Sequence, residues 1–300
     1  MERTLHFIVE KDDDGKMIKS FLKSKINMSS RLMTALKRRE NGILLNGSPV
    51  FVTALLKEGD DLRLLIEGGG DRSEGIKPVK GPIDIVFEDD DLLIINKSAN
   101  VPVHPSKGHP YDSLGNFVAW HYAEKGQNFT LRCVNRLDRQ TSGLIVIAKH
   151  AYAHDALRKA LHTNDFEREY LAVVCGNVEK DDGVINRAIR RIPDTATIKR
   201  EVCEDFEGDI ATTYFHVLSR NDNFSLLRLR LETGRTHQIR VHMAYIGHPL
   251  VGDFLYGKEQ PDIISRTALH SYFIRLTHPV SSEKLEFVRD MPDDMRRLIE

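Results

Sequence analysis

The sequence predicts an α+β protein, with a mixed, mainly antiparallel sheet flanked by helices and preceded by a small α+β module. Three observations favour this fold. Short apolar runs rich in β-branched residues are bounded by turn residues, segments with helical spacing lie between them, and a glycine-rich polar stretch follows the first 67 residues. We therefore expect a module at residues 1–67, a flexible linker at 68–81 and a larger domain at 82–300.

Composition and charge are typical of a soluble protein of about two domains. The chain has 300 residues, of which 41% are hydrophobic and 29% charged, and these fractions allow a sizeable core. The net charge is −1 and the pI about 6.9, so any nucleic-acid-binding surface must be local. Neither a signal-peptide core nor a run of ~20 apolar residues is present, which predicts a cytoplasmic protein without membrane contact.

The cysteines and histidines give no metal-binding or disulfide pattern. The three cysteines are widely spaced and form no CxxC pair, so we expect reduced thiols. His104 and His109 are interpreted as loop residues, because they have proline neighbours and no evident carboxylate partner. His237 and His242 are five positions apart, the wrong interval for two ligands on one helical face, and HExxH is absent. We expect no metal.

The first 67 residues combine strands with two short helices. A strand at residues 4–9 precedes a run from Lys16 to Arg39 that contains eight basic residues and no acidic one. Helical spacing within this run predicts a first helix, and a second begins with Ser29 or Ser30 as N-cap and ends at Asn41-Gly42. Asn46-Gly47 then predicts a hairpin turn, and a last strand follows at Leu62–Ile66.

This helix–helix–hairpin pattern is similar to the αL-type RNA-binding module shared by a small-subunit ribosomal protein and bacterial tyrosyl-tRNA synthetases. The resemblance implies that the two short helices face RNA. A solvated basic helix face is the alternative interpretation of the same residues. Because the rest of the chain is charge-balanced, we favour phosphate contact, with Lys37, Arg38 and Arg39 as the candidate residues.

The elements expected in the larger domain follow from period-two alternation for strands and three-to-four-residue spacing for helices. At 224–231, for example, leucines and arginines alternate between two faces. In chain order we predict two strands around Glu88–Asp91, a helix at Leu114–Glu124, a buried strand at Gly143–Ala148, a helix at Tyr152–His162, a strand at Phe166–Val174, an irregular excursion at Gly183–Ala211, a strand at Phe224–Leu231, a helix at His237–Ile246 capped by Thr236, and two strands joined at Pro279–Glu283.

One loop carries the residues best suited to chemistry. In NRLDRQTSGLIVIAK, Asp138 precedes the buried strand and is flanked by Arg136 and Arg139. Nearby positive charge favours an ionised carboxylate. An aspartate that caps a turn is the alternative, and from this residue alone it would be preferred.

Three ordered motifs resemble one enzyme family. RLDRQTSGL resembles the signature of the RluA-type RNA pseudouridine synthases, in which the aspartate of RLD is the catalytic nucleophile. REYLAVVCG at Arg168–Gly176 resembles the segment that carries the family's tyrosine, and LETGRTHQIRVHMAYIGHPLVGDFLYG resembles its second signature. One position departs: Asn135 stands where the family usually has histidine, and an amide cannot carry charge.

The resemblance implies a pseudouridine synthase catalytic domain that isomerises uridine in structured RNA without a cofactor. Asp138 would act at C1′ of the ribose or remove a proton at C2′, and Arg240 would pair with it. Tyr170 would stack on the flipped uracil and take the C5 proton. Arg235 would contact a phosphate, as would Arg136 unless it forms a structural ion pair, and His237 would line the mouth among the RNA-binding residues.

The partner implied is structured RNA, with large-subunit ribosomal RNA favoured and transfer RNA possible, bound by a monomer. A non-catalytic RNA-binding protein is the alternative, but a pure binder has no need of Asp138, Tyr170 and Arg240 together. An aspartate-nucleophile hydrolase is disfavoured, because the paired carboxylate or nucleophile–base–orienter grouping is missing.

Overall fold

Two sheets and one small hairpin organise the chain in the computed structural model, which describes residues 2–66, 76–193 and 198–300. The helices are α1 Ile18–Ser24, α2 Ser30–Lys37, α3 Leu114–Ala123, α4 Ala151–Ala160, α5 Gln238–Tyr245 and α6 Asp293–Arg296. The strands are β1 Arg3–Ile8, β2 Ile43–Leu45, β3 Ser48–Pro49, β4 Asp61–Ile66, β5 Ile85–Glu88, β6 Leu92–Lys97, β7 Ser142–Ala148, β8 Phe166–Cys175, β9 Asp182–Asn186, β10 Ala188–Arg191, β11 Arg200–Cys203, β12 Thr212–Arg220, β13 Phe224–Leu231, β14 Leu269–Thr277 and β15 Lys284–Val288.

The N-terminal sheet has the strand order β1-β4-β2-β3 and packs against α1 and α2. Ser29 is the N-cap of α2, and its hydroxyl accepts a hydrogen bond from Leu32 N at 3.3 Å. In the β2–β3 turn, Asn46 and Gly47 both have positive φ, as a tight hairpin turn requires. The predicted cap and hairpin are therefore confirmed.

The larger sheet has the order β5-β6-β7-β14-β8-β13-β12-β9, and β15 pairs with β14 outside this order. Among the described residues its one parallel pairing joins β7 to β14, and the other pairings are antiparallel. This is the predicted mixed, mainly antiparallel sheet. Helices α3 and α5 pack on one face through Val118, Tyr122, Ile239 and Met243, whereas α4 packs on the other.

The segment 183–211 differs from the irregular excursion predicted. It contains the end of β9 and the β10–β11 hairpin, and β12 follows immediately without having been predicted. The strands β10 and β11 form a two-stranded sheet and carry arginines and glutamate, so they lack the apolar alternation that reveals a core strand. Helix α6, which follows β15 and buries Met295, was not predicted either.

The predicted linker at 68–81 falls partly on residues 67–75, which lie outside the described residues. Residues 76–81 are ordered against α3, because Val79 N donates to Asn116 O at 3.1 Å and Asn116 Nδ2 donates to Lys77 O at 2.8 Å. No described helix has the length and apolar character needed to cross a membrane.

The N-terminal sheet and the larger sheet are in direct contact. Arg3 Nε donates to Asp91 Oδ1 at 2.8 Å, and Ser29 N donates to Asp155 Oδ2 of α4 at 3.2 Å. The ring of Tyr152, also on α4, is part of the core formed by α1, α2 and the N-terminal sheet. The described parts therefore pack together through polar and apolar contacts.

Candidate active site

Asp138 lies in the loop that leads into β7, where this strand meets β14. The loop closes in a turn, with Thr141 N donating to Asp138 O at 3.1 Å. Gly143 follows with φ of +106°, and a β carbon there would collide with the backbone of Ser271 on β14. A glycine is thus required where β7 and β14 approach, and it sets the exit of the loop that carries Asp138.

Asp138, Tyr170 and Arg240 meet in one cleft. Arg240 Nη1 donates to Asp138 Oδ2 at 3.2 Å, although the two residues are 102 positions apart. Tyr170, from β8, lines the same cleft and is 5% exposed, whereas the Asp138 side chain is 30% exposed. The lining residues are Arg136, Leu137, Asp138, Thr141, Tyr170, Leu231, Arg235, His237, Gln238, Ile239, Arg240 and Leu269. The partly exposed carboxylate of Asp138 thus lies at the mouth of the cleft, and the buried phenol of Tyr170 lies in its wall.

Arg240 is held in place by a second carboxylate. Its Nε and Nη2 donate to the two oxygens of Asp253 at 2.7 and 2.8 Å, and Asp253 is fully buried. Asp253 Oδ1 also accepts from Leu255 N at 2.9 Å, and the guanidinium lies 5.2 Å from the ring centre of Tyr256. This arrangement leaves Nη1 directed at Asp138. Asp253 was not predicted, because an aspartate after glycine is usually a turn residue.

His237 faces Asp138 from the N-terminus of α5. The predicted cap was Thr236, but the N-cap is His237, which has φ of +59° and makes no side-chain cap. Its Nε2 lies 3.8 Å from Asp138 Oδ2, and its Nδ1 lies 2.9 Å from the hydroxyl of Tyr256. That hydroxyl accepts from Arg200 N at 2.7 Å, so its one proton is available to His237 Nδ1. The geometry therefore favours the Nε2–H tautomer, with the N–H directed at the carboxylate.

Burial favours the neutral forms of the His237 imidazole and of the phenols of Tyr170 and Tyr256. Desolvation lowers the pKa of His237, although Asp138 opposes the effect. Burial also raises the pKa of Tyr256 to about 12 and raises that of Tyr170. At neutral pH, the formal charges nearest the reacting position are those of Asp138, Arg240 and Asp253.

Comparison with known proteins shows the family of the chain. Residues 91–245 match the family model described as RNA pseudouridylate synthase. A Bacillus subtilis protein called uncharacterized RNA pseudouridine synthase YjbO is 41% identical over 275 residues, which cover 91% of this chain and 95% of that protein.

The chain belongs to the RNA pseudouridylate synthase family. Ribosomal large subunit pseudouridine synthase D of Pasteurella multocida is 36% identical over 90% of this chain and 86% of its own length. The solved structure of human RNA pseudouridylate synthase domain containing 1 matches with a TM-score of 0.57 and 26% identity, covering 70% of this chain and 83% of that one. This protein is an RNA pseudouridine synthase, and the alternative of a non-catalytic binder is set aside.

Lys97 fixes the loop that carries Asp138 and was not predicted as a site residue from the sequence. Its side chain is 1% exposed, and Nζ donates to the carbonyl oxygens of Ser98, Val101 and Arg139 at 2.8, 2.9 and 3.1 Å. Three acceptors match the three donors of an ammonium group. Burial lowers the pKa of Lys97 to about 7 against the attraction of Asp138, so its charge changes near neutral pH. The contact with Arg139 O holds the residue directly after Asp138.

Asn135, the departure from the synthase motif, has a structural contact. It is 2% exposed, and its side chain donates to Leu144 O at 3.3 Å and accepts from Val146 N at 2.8 Å. The amide therefore satisfies one donor and one acceptor on β7 and ties the start of the loop to that strand. These contacts need hydrogen bonding and no ionisable group.

The arginines around the loop point in different directions. Arg139 Nη1 contacts His109 Nε2 at 3.0 Å and does not pair with Asp138 within the described residues. Arg136 is exposed at the cleft and has no carboxylate within 4.0 Å in the described ranges. Arg235 is anchored by Ile210 O at 3.1 Å and is also 41% exposed. Arg136 and Arg235 are thus placed where a phosphate beside the target could bind.

The three basic residues predicted on α2 and after it do not line the cleft. Lys37 and Arg38 are exposed, whereas Arg39 is half-buried. Arg39 pairs with Glu2 at 2.7 Å and donates to Leu65 O at 3.4 Å. Arg39 therefore supports the N-terminal sheet, and Lys37 and Arg38 remain open to solvent.

Two histidine sites qualify the expectation of no metal. His109 has the carboxylate partner that it was expected to lack, because its Nδ1 lies 2.7 Å from Asp112 Oδ2. In the described chain Asp89, Asp91 and His278 have atoms close enough to share an ion. However, Arg3 and His150 already contact Asp91, each at 2.8 Å. The absence of a metal requirement stays a prediction.

Replacing Tyr256 with phenylalanine tests the tautomer of His237. Without the hydroxyl, Nδ1 loses its donor, and we expect the proton to move there and leave a lone pair facing Asp138. Turnover at saturating RNA should fall about 10-fold, with KM little changed. Nitrogen NMR of the histidine rings reports the tautomer directly. Tyr122→Phe, which also removes a buried hydroxyl but lies elsewhere, is the control. An Nε2–H signal retained in Tyr256→Phe would show that Tyr256 does not fix the tautomer, and its absence from the wild type would contradict the assignment.

Proposed function

We propose that this RNA pseudouridine synthase isomerises uridines in structured large-subunit ribosomal RNA, with Asp138 as its catalytic carboxylate. The observation that carries the proposal is the ion pair of Asp138 with Arg240, 3.2 Å apart at the mouth of a cleft that Tyr170 lines. The choice of ribosomal RNA is supported by the similarity to the Pasteurella synthase, whose name gives the large ribosomal subunit as its substrate.

The chemistry requires the bond between uracil N1 and ribose C1′ to break and a bond from C5 to C1′ to form. If Asp138 attacks C1′, its oxygen bonds to that carbon while the electron pair of the old bond leaves on N1, and this new C1′–O bond breaks when C5 attacks C1′. If it removes a proton at C2′, the same pair leaves as a double bond forms in the sugar, and the proton returns to C2′ when C5 adds to C1′. In either case N1 gains a proton and C5 loses one, so no outside reactant is consumed. Arg240 and the Nε2–H of His237 would stabilise the carboxylate in both routes.

Tyr170 is the proposed contact to the extruded uracil. An aromatic wall lets the base stack after it has left the RNA helix. Extruding a base costs a few kcal/mol, and least when the base is already unpaired. Burial raises the pKa of its hydroxyl, so this group is protonated at neutral pH. The hydroxyl can accept the C5 proton only if it gives up its own proton at the same time. We therefore assign Tyr170 to stacking and proton relay.

RNA binding is assigned to two regions. Arg136 and Arg235 at the cleft would contact phosphates beside the target nucleotide. The residues 1–67 form the proposed αL-type RNA-binding module, with Lys37 and Arg38 as its exposed cations and 82–300 as the catalytic domain. Arg39 takes part through its support of the module's sheet.

The test is to map pseudouridines in ribosomal and transfer RNA from a strain that lacks this gene. We expect one or more sites in large-subunit ribosomal RNA to revert to uridine. The purified enzyme should then release tritium from a C5-labelled transcript of the same RNA. Loss of sites in transfer RNA alone would instead assign the enzyme to that substrate, and no change in either RNA would refute the proposal.

A further inference from the structure

A groove separates the N-terminal module from the larger sheet and its helices. It has a volume of about 710 Å³, and α2 and α4 form two of its sides. The lining residues are Ser29, Arg31, Leu32, Ala35, His104, Thr130, Leu131, Arg132, Cys133, Ala151, His154, Asp155 and Arg158. We call it the interdomain groove.

The charged side chains that line the interdomain groove are mainly positive. Three arginines line it, Arg31 from α2, Arg158 from α4 and Arg132 from the segment between α3 and β7. Its one lining carboxylate, Asp155, already accepts from Ser29 N and pairs with Lys159 at 3.2 Å. Arg31 and Arg158 are exposed and have no carboxylate within 4.0 Å in the described parts of the chain.

The cations converge from different elements. Arg132, Arg158 and His154 line the same groove, and burial and then the charges of the two arginines lower the pKa of His154. In a protein with a net charge of −1, this concentration of positive charge is local and suits an anionic partner.

The interdomain groove leads to the catalytic cleft. Cys133 lines the groove and Arg136 lines the cleft, and three residues of chain span at most about 11 Å. Burial and then the charge of Arg136 lower the pKa of His104, which lines the groove. The groove and the cleft are therefore close enough along the chain for one RNA strand to contact both.

We propose that the interdomain groove holds the sugar–phosphate backbone of the RNA strand that carries the target uridine, with Arg31, Arg132 and Arg158 as phosphate contacts. This inference rests on the proposed function. Of the lining residues, none is Phe, Tyr or Trp, whereas proteins that read single-stranded bases present aromatic rings for stacking. The groove therefore contributes affinity and direction and does not select sequence.

Charge reversal of the two unpaired arginines tests the proposal. The variants are Arg31→Glu, Arg158→Glu and the double variant, with Lys284→Glu and Arg297→Glu as controls that change exposed charges away from the groove. Binding of a fluorescein-labelled 20-nucleotide oligouridylate is measured over a range of KCl concentrations. We expect the double variant to lose at least about 10-fold in affinity. The slope of log K against log salt should become shallower by about 1.4, because two phosphate contacts on a single strand are lost.

The controls and the catalytic readout decide the result. Turnover of the double variant on saturating C5-tritiated ribosomal transcript should stay within about twofold of wild type, and Arg31→Lys with Arg158→Lys should restore the affinity. Affinity and slope equal to those of Arg297→Glu would overturn the groove as an RNA path, as would reduced turnover with unchanged affinity. Failure of the wild-type enzyme to release tritium would count against the proposed function instead, because oligouridylate binding does not depend on it.

Discussion

Asp138→Asn is expected to abolish uridine isomerisation and leave RNA binding nearly intact. The amide has almost the same shape as the carboxylate, so the cleft and its contact with Arg240 should persist. It cannot act as an anionic nucleophile or as a base, whichever of the two routes operates. We expect turnover to fall by about 10⁴-fold or more, as for other enzymes that lose their central reacting group.

Single-turnover release of tritium from C5-labelled uridine RNA measures this loss, and filter binding measures the affinity. Asp222→Asn, an exposed aspartate on the β12–β13 turn, is the matched control and should behave as wild type. Turnover by Asp138→Asn near the wild-type rate would remove Asp138 from the mechanism. Loss of both turnover and binding would show that the residue organises the cleft and would leave its chemical role unproven.

Asp253→Ala should both destabilise the protein and impair catalysis. The substitution leaves the guanidinium of Arg240 buried without its bidentate partner, and breaking a buried pair in this way costs about 3–5 kcal/mol. Arg240 would then be free to turn away from Asp138. A displacement of about 1 Å of such a positioning group can reduce turnover about 100-fold.

Urea unfolding gives the change in stability, and tritium release by the folded fraction gives the change in turnover. Asp294→Ala is the matched control, because Asp294 also holds a buried arginine, Arg266, through two bonds of 2.6 and 2.8 Å but lies away from the cleft. It should lower stability and leave turnover unchanged. If Asp253→Ala lost stability with full turnover per folded molecule, Asp253 would support the fold alone.

Motifs in the sequence predicted Asp138, Tyr170 and Arg240 as site residues, but their spacing could not have shown that they meet. Asp138 and Arg240 are 102 positions apart, and only the fold brings them within 3.2 Å. By contrast, charge in the neighbouring positions was misleading, because Arg139 turns to His109 and Arg136 faces the open cleft. Adjacent loop residues point in directions that depend on the backbone, and the sequence does not give these directions.

The supporting residues were missed for a different reason. Lys97 and Asp253 are ordinary in sequence, and their importance comes from complete burial beside the ends of β7 and α5. His237 acquires its direction from a left-handed backbone that no pattern predicted. The alternation in β8 and β13 was recognised, whereas that in β12 was not, and the short strands β10 and β11 alternate too little to be predicted from sequence.

The placement of Tyr152 has a consequence for how a target nucleotide could be selected. This side chain comes from α4 but completes the hydrophobic centre of the N-terminal residues, so the two parts cannot separate without exposing it. The distance from α2 to Asp138 is then a property of the folded chain. If the N-terminal module binds RNA as proposed, the bound segment and the target uridine are held at a fixed separation.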